Sequence, residues 1–242
     1  MSLVIKKYSL GIAELGKQIL DYADLDIGQG KIVVLVGENG SGKSSFAMSL
    51  LGIPGYERSG SVEIDDKETV GLEIDEIARL GLFVSFQSPP EIEGVTLFDF
   101  LNASYRSIYG SGGLSSFKLR KKIIDAVERV GLNVSFLERP INQGFSGGER
   151  RKSEVLQMLV LEPKVAVLDE VDSGLDIRST INVANLLRET ASHKKCALLV
   201  ISHSIEFIRK LHPDKIFQLK NKKFIEVTLE EIESSGLIQE SN

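Results

Sequence analysis

Eight residues, Gly37-Glu38-Asn39-Gly40-Ser41-Gly42-Lys43-Ser44, constrain this chain more than any others because of what flanks them. The apolar run Ile32-Val33-Val34-Leu35-Val36 leads in as a buried strand, and the residues from Ser45 to Leu51 follow as a helix. The glycines let the backbone turn tightly enough to aim several N–H groups at one anion, and a helix N-terminus adds partial positive charge. A strand, a glycine-rich turn and a helix in that order make a cradle for the phosphates of a nucleoside triphosphate. Within it Lys43 reaches toward the β- and γ-phosphates, and the Ser44 hydroxyl is suited to Mg2+.

Composition narrows the partners. The 242 residues carry 29 Lys and Arg against 34 Asp and Glu, a net charge of −5, which speaks against nucleic acid or an anionic membrane as the main partner. Cys196 is the only cysteine and opens the apolar run Cys196-Ala197-Leu198-Leu199-Val200-Ile201, so it reads as buried filler in a reducing, cytoplasmic compartment. The N-terminus lacks a signal-peptide layout and no apolar run approaches about 18 residues, so direct membrane insertion is not expected.

Along the chain, strands are expected at Leu3 to Ile12 and Gln18 to Ile27, then at 32–36, Ser61 to Asp65 and Leu82 to Phe86. A short helix is expected from Asp75 to Leu80. Helical character follows from Gln87 to about Leu161, with stripes at Leu97, Phe100, Leu101 and Tyr105 and at Leu119, Ile123, Ile124, Val127 and Val130. Strands return at Val165 to Leu168, Cys196 to Ile201 and Lys215 to Leu219, separated by helices at Ser179 to Ser192 and Ser204 to Leu211. The pattern is α/β, with a helical segment inserted between two core strands.

Two further clusters carry chemistry. The strand Val165 to Leu168 ends in Asp169 and Glu170. Asp169, at a strand tip beside the phosphate loop, is suited to support Mg2+, and Glu170 to polarise a water in line with the γ-phosphate. Ser146 with Glu149 three residues on forms a capping box ahead of a helix, but Gly147-Gly148 weakens a first turn and makes sense if an anion approaches the backbone there.

Together these residues resemble the ATP-binding-cassette (ABC) ATPases across nearly the whole chain. Gln87, after a core strand, looks like the family's Q-loop, and Ser146-Gly147-Gly148-Glu149 like its signature. Asp169-Glu170 resembles the Walker B pair, Ser173-Gly174-Leu175-Asp176 the D-loop, and His203 the switch histidine. The resemblance implies a P-loop NTPase of ABC type over residues 1–242. Its core sheet is mixed, with N-terminal antiparallel β-structure and a helical subdomain at about 88–161. It further implies ATP and Mg2+ as cofactors, with Gly37 to Ser45 holding phosphates and Ser44, Gln87 and Asp169 near the metal. Glu170, His203 and Gln87 would be catalytic. Ser146, Gly148 and Asp176 would contact nucleotide, the first two on a second chain, so that a transient head-to-tail homodimer shares two ATP molecules. Many members stack an aromatic on adenine from the loop that here reads Gly11-Ile12-Ala13-Glu14-Leu15-Gly16, and the nearest aromatics are Tyr8 and Tyr22.

Within the superfamily, four segments resemble the SufC family, ATPases of the SUF iron–sulfur cluster assembly system. They are Gln87 to Val95, Gly144 to Glu149, Leu156 to Pro163 and Leu168 to Asp176. The resemblance implies SufB-like and SufD-like scaffold partners remodelled by ATP-driven dimerisation. The partner is expected at Ser88 to Tyr109, with Pro89, Pro90, Ile92, Val95 and Phe98 as apolar contacts. The alternative is the soluble ATP-binding subunit of an ABC transporter.

Overall fold

The computed structural model describes residues 2–235, so Met1 and residues 236–242 at the ends of the expected domain lie outside the described residues. Alternating side chains shape the first sheet: β1 (Leu3–Ile12) and β2 (Lys17–Ile27) pair antiparallel with Leu3 opposite Ile27 and Ile12 opposite Lys17. Strand β3 (Ile32–Val36) is buried at every position, as a strand covered on both faces must be. Helix α1 (Lys43–Leu50), strands β4 (Tyr56–Ile64) and β5 (Lys67–Glu68), helix α2 (Ile74–Leu80) and strand β6 (Leu82–Val84) follow. Helices α3 (Leu97–Tyr109), α4 (Ser116–Arg129) and α5 (Gly147–Leu161) are then inserted before β7 (Val165–Asp169). The chain continues through α6 (Ile177–Lys194), β8 (Ala197–Ile201), α7 (Ile205–Leu211), β9 (Lys215–Lys220), β10 (Lys223–Val227) and α8 (Leu229–Ser235).

Two sheets result. The first is antiparallel, in the order β2-β1-β4-β5; the second runs β10-β9-β3-β8-β7-β6 and is parallel except for β10 at its edge. The period of two along the central strands divides the interior in half. Ile32, Val34, Ala166, Leu168, Leu198 and Val200 face a core shared with α3 to α7, while Val33, Leu35, Val165, Val167, Leu199 and Ile201 face a core shared with α1 and the antiparallel sheet.

Two of the expected strands change their ends, and three short elements were not expected. The strand expected from Ser61 begins at Tyr56, because β1 offers it a long partner reaching to Ile12. The strand expected through Phe86 ends at Val84, because the Phe86 backbone turns its hydrogen bonds to side chains of α5. Strands β5 and β10 and helix α8 carry too short a pattern to stand out in the sequence.

Candidate functional site

The site grows from the C-terminal end of β3. Ser41 N–H donates to the Glu38 carbonyl at 3.1 Å, closing the loop, and α1 starts as Phe46 N–H donates to Gly42 at 2.8 Å. Gly42 has φ +105°, and a Cβ there would stand 2.2 Å from Cγ2 of Ile19, so strand β2 packs directly onto the loop. The Lys43 ammonium is buried and donates to the carbonyls of Gly37 at 2.8 Å and Glu38 at 3.0 Å. Burial draws its pKa down, against the nearby charges of Glu170 and Asp169.

The tip of β7 supplies acids. Asp169 is fully buried, its N–H donated to the Ser85 hydroxyl at 2.7 Å, and neither carboxylate oxygen has a hydrogen-bond partner. Burial raises its pKa; the Ser44 hydroxyl is the neighbour that most opposes the rise, without a hydrogen bond of full geometry forming. Glu170 follows at φ +53°, its N–H donated to Ile201 at 2.9 Å, which ties it to the end of β8. His203 lies just beyond that strand, its Nε2 3.7 Å from Glu170 Oε1. Burial lowers the His203 pKa, the Lys43 charge adds to the drop, and Glu170 partly offsets it.

A cavity of about 570 Å3 gathers Lys43, Ser44, Ser45, Gln87, Glu170 and His203. Asn39, Gly40 and Gly42 border it, and Ile12, Lys17 and Ile19 close the side nearest the antiparallel sheet. That wall carries two isoleucines and Lys17, whose ammonium donates to the Gly40 carbonyl at 3.3 Å, and no aromatic ring. Tyr8 is core, its hydroxyl donated to Ser49 at 2.9 Å, and exposed Tyr22 does not reach the cavity. Gly37 and Glu38 serve the loop through their carbonyls, and the Ser41 hydroxyl is buried without a partner.

Gly37, Glu38, Ser41 and Asp169 do not border the cavity, and three further expected residues lie at the starts of α5 and α6. Ser146 N–H donates to Glu149 at 2.7 Å and Glu149 N–H donates to the Ser146 hydroxyl at 3.3 Å, so the capping box is formed. A Cβ on Gly148 would stand 3.0 Å from the Gly174 carbonyl, which sets this end of α5 against the turn before α6. Asp176 caps α6 and receives both the N–H and the hydroxyl of Ser179 at 2.9 Å. None of the three borders the cavity.

The buried, unpartnered carboxylate of Asp169 beside Ser44 suits a hard divalent cation, which favours oxygen donors. Among the described residues no three His, Cys, Asp or Glu side chains form a metal cage. The Asp169 carboxylate and the Ser44 hydroxyl fit Mg2+, an ion that keeps waters and takes one or two protein groups alongside phosphate oxygens.

Sequence reading missed Ser85, Arg151 and Glu154. Arg151 and Glu154 are buried on α5 and bind the backbone of Phe86 and Gln87; their spacing of three on a helix was the only available sign. Burial pushes the Glu154 carboxyl up to about 7, against Arg151 and the Phe86 N–H.

A second concavity of about 780 Å3 lies between α2, α3 and α5, with Phe86, Pro89, Pro90, Ile92 and Phe100 on its walls. Val95 and Phe98 do not border it, and the Phe98 ring packs under the Arg120 guanidinium instead, 5.4 Å from it. The expected contacts are therefore divided, with Pro89, Pro90 and Ile92 on the walls of the concavity and half-buried Val95 and Phe98 outside it. No helix among the described residues is long and apolar enough to cross a membrane.

Comparison with known proteins agrees with this layout. The family model described as "ABC transporter" matches residues 20–173. "Vegetative protein 296" of Bacillus subtilis is 36% identical over 203 residues, covering 83% of this chain and 77% of its own. "Probable ATP-dependent transporter slr0075" of Synechocystis is 38% identical, covering 87% and 83%. The dimeric structure of a bacterial ABC transporter cassette superposes with a TM-score of 0.80 at 22% identity, over 95% of this chain and 99% of that one. The chain belongs to the ATP-binding-cassette family and is an ABC-type ATPase.

Proposed function

We propose that this chain is the ATP-hydrolysing motor of an iron–sulfur cluster assembly complex, acting as a transient head-to-tail homodimer on SufB-like and SufD-like scaffold proteins in the cytoplasm. The observation that carries the shared-site part is the separation of Ser146 and Gly148 from the cavity that holds Lys43, Glu170 and His203. A second copy, turned head to tail, brings those two residues to the open face of the cavity. The domain is read as residues 1–242 with the helical subdomain at about 88–161.

In this reading the loop from Gly37 to Ser45 binds ATP phosphates through backbone N–H groups, and Lys43 neutralises the β- and γ-oxygens. Bound Mg2+ neutralises phosphate charge, and Ser44, Gln87 and Asp169 would hold it. Glu170 orients the attacking water and accepts its proton as the bond from the γ-phosphorus to the β–γ bridging oxygen breaks, giving ADP and phosphate. His203, neutral near pH 7 because burial disfavours its charge, holds the γ-phosphate by hydrogen bonding. Asp176, which caps α6 beside Gly148, contacts nucleotide from the start of that helix.

The segments Gln87 to Val95 and Leu156 to Pro163 support the cluster-assembly role, and both border the second concavity. The alternative, a transporter's ATP-binding subunit, is favoured by the transporter name of the Synechocystis relative. Affinity purification from native cells, with the bound proteins identified, separates the two. A soluble scaffold bound in the absence of any transmembrane protein is the expected outcome; a stoichiometric transmembrane partner would establish the alternative.

A further inference from the structure

Arg151 and Glu154 lie one turn apart on α5, close behind Ser146, and both are buried. Arg151 Nη1 donates to Glu154 Oε2 at 2.9 Å. Their remaining bonds go to one stretch of chain on another element. Arg151 Nη1 donates to the Phe86 carbonyl and Nη2 to the Gln87 carbonyl, each at 3.0 Å, while Phe86 N–H donates to Glu154 Oε1 at 2.8 Å. The pair thus satisfies three backbone groups of the segment that has just left strand β6.

Stability alone is a weak reason for this arrangement. A buried ion pair usually does no better than apolar side chains of similar volume, because desolvation offsets the attraction. What the pair provides is a fixed geometry: the planar guanidinium holds two successive carbonyls and the Glu154 carboxylate through two nitrogens set rigidly in one fork, whereas a lysine's one ammonium sits on a flexible stem and fixes no such plane. The Gln87 side chain borders the nucleotide cavity, and the helix that holds its backbone begins at Ser146.

We propose that Arg151 and Glu154 are positioning residues for ATP hydrolysis, locking the Phe86–Gln87 backbone to α5 so that the Gln87 side chain and the Ser146 end of the helix approach nucleotide as one unit. The proposal rests on the roles given above to Gln87 and Ser146. It makes Gln87 the target of the clamp and leaves ATP capture by the phosphate loop independent of it.

The test is a double-mutant cycle of Arg151→Lys with Gln87→Ala, alongside Glu154→Gln, which keeps an acceptor for the Phe86 N–H. Thermal unfolding establishes that each variant is folded, and Glu154→Ala, which removes that acceptor, takes the place of Arg151→Lys should the latter fail to fold. Expected for Arg151→Lys is ATP affinity within about twofold of wild type, with kcat about ten- to a hundredfold lower, the scale of a misplaced positioning group. Combined with Gln87→Ala, it should remove at most about twofold more, because both changes act through one side chain. Amide exchange at Phe86, protected in the wild type, should quicken in Glu154→Ala while α1 stays protected. A slow Gln87→Ala beside an Arg151→Lys that turns over at the wild-type rate overturns the clamp alone, as do losses that multiply in the double variant. A Gln87→Ala that hydrolyses ATP at the wild-type rate overturns the role of Gln87 and the clamp with it.

Discussion

His203 Nε2 stands 3.7 Å from Glu170 Oε1, beyond hydrogen-bond reach, with both side chains bordering one cavity. The two arrive from the ends of neighbouring parallel strands, and the Glu170 N–H bond to Ile201 fixes their spacing. A histidine that burial keeps neutral leaves the carboxylate unpaired and able to accept a proton from water.

Glu170→Gln keeps the shape and removes that acceptor. ATP binding should survive while kcat falls about a hundredfold or more, the range of a lost general base. ATP should then trap a dimer visible by size-exclusion chromatography. Lys43→Ala should instead weaken ATP binding itself, measured by equilibrium titration. Wild-type turnover in Glu170→Gln would assign the base elsewhere.

Activity should depend on protein concentration. Ser146 and Gly148 do not border the cavity of their own chain, and on the proposed shared site a second chain supplies them. Specific activity should rise with concentration until dimerisation saturates. A flat rate per mole over about a hundredfold dilution, starting from monomer, would rule out sharing; such a range spans most of a binding isotherm.

Ile92→Asp places a charge on the wall of the larger concavity and should abolish scaffold binding while ATP affinity of the isolated chain stays within about twofold. Phe98→Asp, at another of the expected apolar contacts, is a worse test, because the ring lies under Arg120 outside that concavity. Retained pull-down of scaffold by folded Ile92→Asp would move the docking surface.

Glu154 gives stability a pH dependence of definite sign. Its carboxyl sits at about 7 in the fold against an ordinary 4.5, so between those values the folded chain binds more protons than the unfolded one. Its contribution to stability is therefore lost as pH rises through that window. Glu154→Gln removes the titration, so urea midpoints of variant and wild type should diverge in the variant's favour from about pH 5 to about pH 8. The change is on the order of a few kcal/mol at most, at about 1.4 kcal/mol per pKa unit. Parallel midpoints across that range would mean that Glu154 titrates at its ordinary value.

The phosphate loop, the acids at the end of β7, the capping box at Ser146 and most helices and core strands are legible in the sequence. Each is a contiguous stretch whose spacing matches a local geometry: a period of two along β3, a spacing of three between Ser146 and Glu149, glycines where φ must be positive. Tertiary structure alone decided the rest. It left the Asp169 carboxylate without a partner while giving its N–H to Ser85, 84 residues away, and it turned Phe86 from the end of a strand into a ligand of Glu154. It packed Tyr8 into the core, leaving Ile12 and Ile19 beside the nucleotide cavity, and it took Phe98 away from the larger concavity. Those outcomes depend on which distant groups meet in the interior, where every buried polar atom must find a partner or go without. Periodicity along the chain carries no record of that choice.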